Sequence, residues 1–160
     1  MKSPNSKLIE ACKFGDLALA KEALNESANV NCRHRRSTAL HWAVQEGHLN
    51  IVKFLLENGA SANRLDEDGF GPLQQASGDG NLNILKELIK AGAKLNVLSK
   101  DGGTPLHTAC AYGNRECVLE LLKAGAITNI KDNSGRTPRF YAGINGHKKI
   151  SLILLSAVNK

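Results

Sequence analysis

Imidazoles, thiols and carboxylates are the groups through which this chain could do chemistry; it has five His, four Cys and fifteen Asp or Glu. His41 and His107 could serve as bases or metal ligands, and Cys110 and Cys117 could supply thiolates. A metal site needs ligands that converge at short spacing, and a lone Cys-x6-Cys pair is too weak a signal for one. Asp66-Glu67-Asp68-Gly69 invites a calcium loop. Setting Gly69 at the sixth position of such a loop puts Arg64 first and Gln75 last, and neither is the acidic ligand that calcium requires. Gly69-Phe70-Gly71 and Gly78-Asp79-Gly80 are not phosphate loops, because no strand is expected before them and no Lys-Ser/Thr follows. There is no Gly-x-Ser-x-Gly either. The chain has no enzyme signature, and no cofactor is expected.

Those groups recur together with their surroundings. Thr38-Ala39-Leu40-His41, Gly71-Pro72-Leu73-Gln74, Thr104-Pro105-Leu106-His107 and Thr137-Pro138-Arg139-Phe140 start 33 residues apart without drift. Gly47, Gly80, Gly113 and Gly146 keep the same step, as do Gly59, Gly92 and Gly125, and Asn63, Asn96 and Asn129. Self-similarity at one fixed period is the mark of a repeat architecture. Each copy predicts two short helices. The first begins at Thr, whose hydroxyl caps it, with Pro at the first helical position where no N–H is needed. The second carries apolar residues at helical spacing: Ile51, Val52, Leu55 and Leu56, then Ile84, Leu85, Leu88 and Ile89, then Cys117, Val118, Leu121 and Leu122. Gly59, Gly92 and Gly125 stop it, and turn-forming segments such as Asp66–Gly69 lead onward. One pair cannot bury its apolar face alone, so neighbours must stack into a solenoid.

The run Gly102-Gly103-Thr104-Pro105-Leu106-His107-Thr108-Ala109-Cys110, continuing to Asn129, resembles the ankyrin repeat family, and 38–63 match its pattern nearly as well. A degenerate first unit is read in Ala11, Gly15, Leu24, Ala28, Val30 and Asn31, so the resemblance covers almost the whole chain. It implies an all-α solenoid of stacked helix-turn-helix units joined by β-hairpin-like loops. The expected organisation is a single domain over 1–160, divided at about 1–31 (N-terminal cap), 32–64, 65–97, 98–129 and 130–160 (C-terminal cap). On this pattern His41 and His107 tie adjacent units, His48 and His147 take a Gly-His position, and Cys110 and Cys117 are small buried hydrophobes. Ser27 stands where later units have Gly, and Arg139 and Ser151 replace an expected Leu and Val. From Asn31 to Thr38 is seven residues, against eight in the later copies, so the first hairpin is one residue shorter. It holds Arg33-His34-Arg35-Arg36.

Composition narrows the setting. Apolar residues at 42% and charged residues at 22% describe a globular chain. Seven aromatics (four Phe, two Tyr, one Trp) make base stacking a weak means of binding, and a net charge of +6 is too small to name a nucleic acid. No secretory leader, no apolar run of about 18 residues and no disulfide framework is read. The expectation is a cytoplasmic or nuclear protein, monomeric alone and without a membrane span.

Function then falls to residues that the repeat does not fix. On the hairpins these are Arg33, Arg35, Arg36, Asp66, Asp68, Phe70, Lys100, Asp101 and Arg136. On the first helices they are Trp42, Gln45, Glu46, Gln75, Asp79, Tyr112, Tyr141 and Asn145. The resemblance implies a non-catalytic scaffold or adaptor that binds another protein through its concave face and hairpin tips. Tyr112 and Trp42 rank highest as rigid aromatic anchors, although Trp42 could equally be packed between helices. Arg33, Arg35 and Arg36 have no acid in their own hairpin, which favours a partner with an acidic segment. Asp66, Glu67 and Asp68, one hairpin along at about 10 Å, would turn away a uniformly anionic strand. The rival reading is an electrostatic binder of RNA or an anionic lipid headgroup through the same arginines, helped by Arg64. The few aromatics and the acidic neighbouring hairpin weigh against it. The resemblance further implies asparaginyl hydroxylation. Asn63, Asn96 and Asn129 have Leu55, Leu88 and Leu121 eight residues earlier and should be better substrates than Asn31, which has Ala23 there.

Overall fold

Threonine hydroxyls start three of the described helices. The Thr38 side chain accepts the N–H of His41, Thr104 that of His107 and Thr137 that of Phe140. Each supplies an acceptor to a first-turn amide that has none inside its own helix. In the computed structural model, residues 2–158 are described. They form α1 (Pro4–Phe14), α2 (Leu17–Asn25), α3 (Ala39–Gln45), α4 (Leu49–Glu57), α5 (Pro72–Asp79), α6 (Leu82–Lys90), α7 (Pro105–Tyr112), α8 (Arg115–Lys123), α9 (Pro138–Ile144) and α10 (Lys148–Val158). Gly59, Gly92 and Gly125 close α4, α6 and α8 in the left-handed region, at φ +87°, +82° and +99°. Ser27 does the same after α2 at φ +68°, a conformation that disfavours a side chain.

The odd-numbered helices α1 to α9 pack side by side in one row, and α2, α4, α6 and α8 form a second. Leu8, Leu40, Leu73 and Leu106 from the first row, and Leu55, Leu88 and Leu121 from the second, are at most 1% exposed. A nine-residue helix such as α4, α6 or α8 is marginal alone in water, so stacking holds each pair. Arg139, in register with Leu40, Leu73 and Leu106, is exposed at the end of the row. No described helix is long and apolar enough to cross a membrane.

Hydrogen bonds between neighbouring pairs follow the sequence period. The Nε2–H of His41 donates to the Phe70 carbonyl at 3.1 Å, Gln74 Nε2 to Gly103 at 2.8 Å, and His107 Nε2–H to Arg136 at 3.0 Å. Asn31 Oδ1 accepts the N–H of Ser61, Asn63 that of Lys94, and Asn96 that of Ile127, at 2.9, 2.7 and 2.9 Å. On the other side, His48 reaches the Lys13 carbonyl and His147 that of Ala111, at 3.3 and 3.2 Å. The His147 ring sits so close to Gly113 that a Cβ there would lie 2.5 Å from it.

The first hairpin differs from the rest. β1 (Arg33–His34) and β2 (Ser37–Thr38) pair antiparallel, Arg33 opposite Thr38 and His34 opposite Ser37. Its loop is therefore just Arg35 and Arg36, with Arg35 at φ +55°. The later turns bring Asp66 N–H to the Phe70 carbonyl, Ser99 to Gly103 and Asp132 to Arg136, at 2.8, 2.9 and 2.9 Å. There the left-handed position is filled by Gly69, Gly102 and Gly135. Deleting one residue thus leaves an arginine where the longer hairpins use glycine.

Candidate functional site

Because the first helices stack at one repeat per step, residues 33 apart form stripes on one face. One stripe runs Trp42, Gln75, Thr108, Tyr141, and its neighbour runs Glu46, Asp79, Tyr112, Asn145. Where the hairpins border these stripes, a groove of about 180 Å³ is lined by Phe70, Asp101, Tyr112, Asp132 and Tyr141, among others. A hollow of about 170 Å³ adjoins it along Phe70, Gln75, Asp79 and Tyr112. Tyr112, shared by both, is 69% exposed, while Phe70 is half-buried.

Several of the residues singled out by sequence are partly committed within the protein. Asp66 Oδ1 accepts the N–H of Asp68 and Phe70 at 2.9 and 2.8 Å and so builds its own turn. Gln75 Nε2 donates to Asp79 at 2.9 Å, the Ser99 hydroxyl to Asp101, and the Tyr141 hydroxyl to Asp132 at 2.5 Å. Asn145 Nδ2 donates to the Ala111 carbonyl at 2.7 Å, and Gln45 touches Glu46 at 3.5 Å. Arg136 gives its carbonyl to His107 and lays its guanidinium 5.5 Å from the Phe140 ring centre. Lys100, Asp101 and Asn129 are exposed.

The arginine cluster requires a correction. Arg36 is not free: its Nε donates to Glu67 at 2.7 Å and its Nη1 lies 3.6 Å from Asp68. Looked at by itself the hairpin has no acid, but stacking sets the next unit's acidic hairpin beside it. The Arg33 guanidinium donates to the Leu65 carbonyl, a neutral acceptor. Arg35 is exposed and in no ion pair with a described residue.

Lys13, His34 and Asp132 were missed by the sequence reading. The Lys13 ammonium lies 4.1 Å from the centre of the Trp42 ring, and the His34 ring centre is 6.4 Å from it. Trp42 is accordingly half-buried, packed against these side chains on the face. The signal for Lys13 was the repeat itself, since across the shorter first hairpin it stands in register with Gln45, 32 residues on, and Asp132 stands 66 after Asp66.

Titration behaviour fits structural roles for the rings and thiols. Burial holds His41 and His107 below the ordinary imidazole range. It pushes the Cys12 and Cys110 thiols up to about 12 and Cys117 to about 11, so none supplies a thiolate near neutral pH. The Tyr141 hydroxyl is the main cause holding the Asp132 carboxyl below its usual value, which keeps a fixed negative charge in the groove.

Stacked helix pairs, cross-tied His and Asn side chains and hairpin turns at one period define a helical repeat protein that presents a surface. A profile described as ankyrin repeats (3 copies) matches 8–99 and again 73–160. The chain belongs to the ankyrin repeat family. It is 45% identical over 58 residues, 36% of this chain and 7% of the relative, to the Arf-GAP with ANK repeat and PH domain-containing protein cnt-1 of Caenorhabditis elegans. Over 78 residues it is 31% identical to ankyrin repeat domain-containing protein 40 of Mus musculus, covering 48% of this chain and 22% of that protein. A further match is the 26S proteasome non-ATPase regulatory subunit 10 of Dictyostelium discoideum, 36% identical over 73 residues, with 44% and 32% covered. The matched stretches thus span a third or less of these relatives.

Proposed function

We propose that the chain is a non-catalytic scaffold or adaptor that holds another protein against the face of hairpins and first helices. The observation that carries this reading is the groove at Phe70, Asp101, Tyr112 and Tyr141, which sets an exposed aromatic ring among carboxylates on helices already cross-tied to one another. Such a surface needs little ordering when a partner arrives, so more of the contact energy appears as affinity. Charge along the face suggests the partner's direction. Lys13, Arg33 and Arg35 make the first-hairpin end basic, whereas Asp79, Asp101 and Asp132 make the groove acidic. The partner is acidic at one end and neutral or basic at the other. Four buried, unpaired cysteines fit a reducing cytoplasmic or nuclear setting.

The test is capture of binding proteins from a lysate by the parent chain, by Tyr112→Ala on the groove, and by Leu119→Ala on the exposed side of α8. Truncating a central aromatic anchor should weaken the partner about tenfold or more. Proteins retained by the parent and Leu119→Ala but lost by Tyr112→Ala support the reading, and three identical profiles contradict it. We also propose that Asn63, Asn96 and Asn129 outrank Asn31 as substrates of an asparaginyl oxygenase. Peptide mapping by mass spectrometry after treatment with such an enzyme reads the order, and modification at Asn31 alone would reverse it.

A further inference from the structure

Around Trp42 the structure leaves several donors without an acceptor. The Trp42 Nε1–H is shielded from solvent and has no hydrogen-bond partner among the described residues. A buried donor left unpaired carries a real cost, and in a native protein such a group calls for an explanation. Lys13 holds its ammonium 4.1 Å from the same ring and is in no ion pair with a described residue, and the His34 ring flanks it. The next residue is Arg35, exposed, unpaired and at φ +55°. A two-residue hairpin loop prefers Gly or Asn at such an angle, so arginine is a worse choice for the turn than the glycines used in the later hairpins. Strain retained at an exposed cation is an outlier from which a function can be inferred. Arg36 and Arg33 do not share this character, because one is neutralised by Glu67 and Asp68 and the other spends its guanidinium on Leu65.

We propose that Lys13, His34, Arg35 and Trp42 form the docking point for a carboxylate-bearing segment of the partner protein. This deepens the scaffold reading and rests on it. Carboxylate oxygens are the acceptors that the Lys13 ammonium and the Arg35 guanidinium lack among the described residues. They would form charge-assisted bonds with the two cations. The indole N–H is shielded, and Trp42 takes part through its ring, against which Lys13 lies. The paired Glu67 and Asp68, one hairpin along, limit the docking segment to a short acidic stretch.

Trp42 is the only tryptophan of the chain, so it reports on its own site. The experiment titrates the intact protein with fluorescein-labelled hexaglutamate at about 20 mM salt, where screening is weak. It follows both the anisotropy of the probe and, with unlabelled peptide, the Trp42 emission. Saturable binding with a change in emission is expected. Lys13→Ala and Arg35→Gly should each weaken it about tenfold, in line with loss of one charge-assisted bond. Arg35→Gly should at the same time melt no lower than the parent, because glycine relieves the turn. Lys149→Ala, on α10, should bind as the parent does. Equal affinity of all these variants would reduce the binding to net charge and overturn the proposal. So would oligouridylate or phosphatidylserine vesicles binding more tightly than hexaglutamate. Failure here with the Tyr112-dependent capture intact removes only this docking point, whereas loss of that capture result removes the scaffold reading itself.

Discussion

In its neutral form His107 accepts the Thr104 amide hydrogen at Nδ1, 3.1 Å away, and gives its Nε2–H to the Arg136 carbonyl. A second proton would have to enter at Nδ1, against that amide, in a side chain only 4% exposed. His41 repeats the arrangement with Thr38 and Phe70. Burial is the main cause that lowers both rings' affinity for a proton, so the unfolded chain binds protons more readily than the folded one. Their contribution to stability is therefore complete above about pH 6.5 and declines as pH falls from there toward the folded values. Gln74 performs the same tie without titrating, accepting the Gly71 N–H at 2.9 Å and donating to Gly103 at 2.8 Å. The double variant His41→Gln and His107→Gln should stay within about 1 kcal/mol of the parent at pH 7 if glutamine restores these bonds. Between about pH 6.5 and 5 it should lose less stability than the parent. Urea melts across that window decide, and parallel losses would contradict the account. Asp132 does not confuse the window. Its lowered carboxyl value means its contribution is present above the ordinary carboxylate range and is lost only as pH falls through the lower folded value.

At the scale of the element, one backbone position ends α2, α4, α6 and α8, and α2 is the exception in chemistry but not in shape. Ala28, Ala60, Ala93 and Ala126 all donate their N–H to the carbonyl five residues earlier. The residue before each is left-handed, and only Ser27 among the four bears a side chain. Ser27→Gly should therefore stabilise the protein by about 1 kcal/mol, offset in part by the greater freedom of glycine in the unfolded chain. That corresponds to a melting temperature higher by roughly 2–4 °C. A lower melting temperature would show that the Ser27 side chain does something the turn geometry does not reveal. This exception was legible in the sequence, since a 33-residue step from Gly59, Gly92 and Gly125 lands near Ser27 once the short first hairpin is allowed for. Caps and stops are local events, determined within a few residues, and so the helices could be read directly. The pairing of Arg36 with Glu67 and the packing of Lys13 on Trp42 could not. They join residues 31 and 29 apart through flexible side chains, and a repeat period says which units are neighbours without saying which long side chains meet. The candidate face was thus readable as a set of positions, but which of its charges remain available was not.

Over the whole molecule, each helix pair depends on the pair beside it for cover. α9 and α10 supply Ala142, Ile150 and Leu154, all at most 2% exposed, and α9 lies against α7. Removing 130–160 would also remove the acceptor of His107 and the bonds from Asn145 and His147 to Ala111. Every 100 Å² of apolar surface returned to water costs about 2.5 kcal/mol, a large part of the stability of an ordinary domain. The truncated chain should aggregate or melt well below the parent. At the other end, Ser3 caps α1 by accepting the Ser6 N–H at 3.2 Å, and Lys2 pairs with Glu10 at 2.6 Å. Deleting Met1 to Pro4 removes the cap and an exposed ion pair, with an expected cost of about 1 kcal/mol and no exposed core. Calorimetry on the two deletions separates the cases. If the chain lacking 130–160 melted with the parent, the first four pairs would have to be stable without the last, and stacking would not be what holds the molecule together.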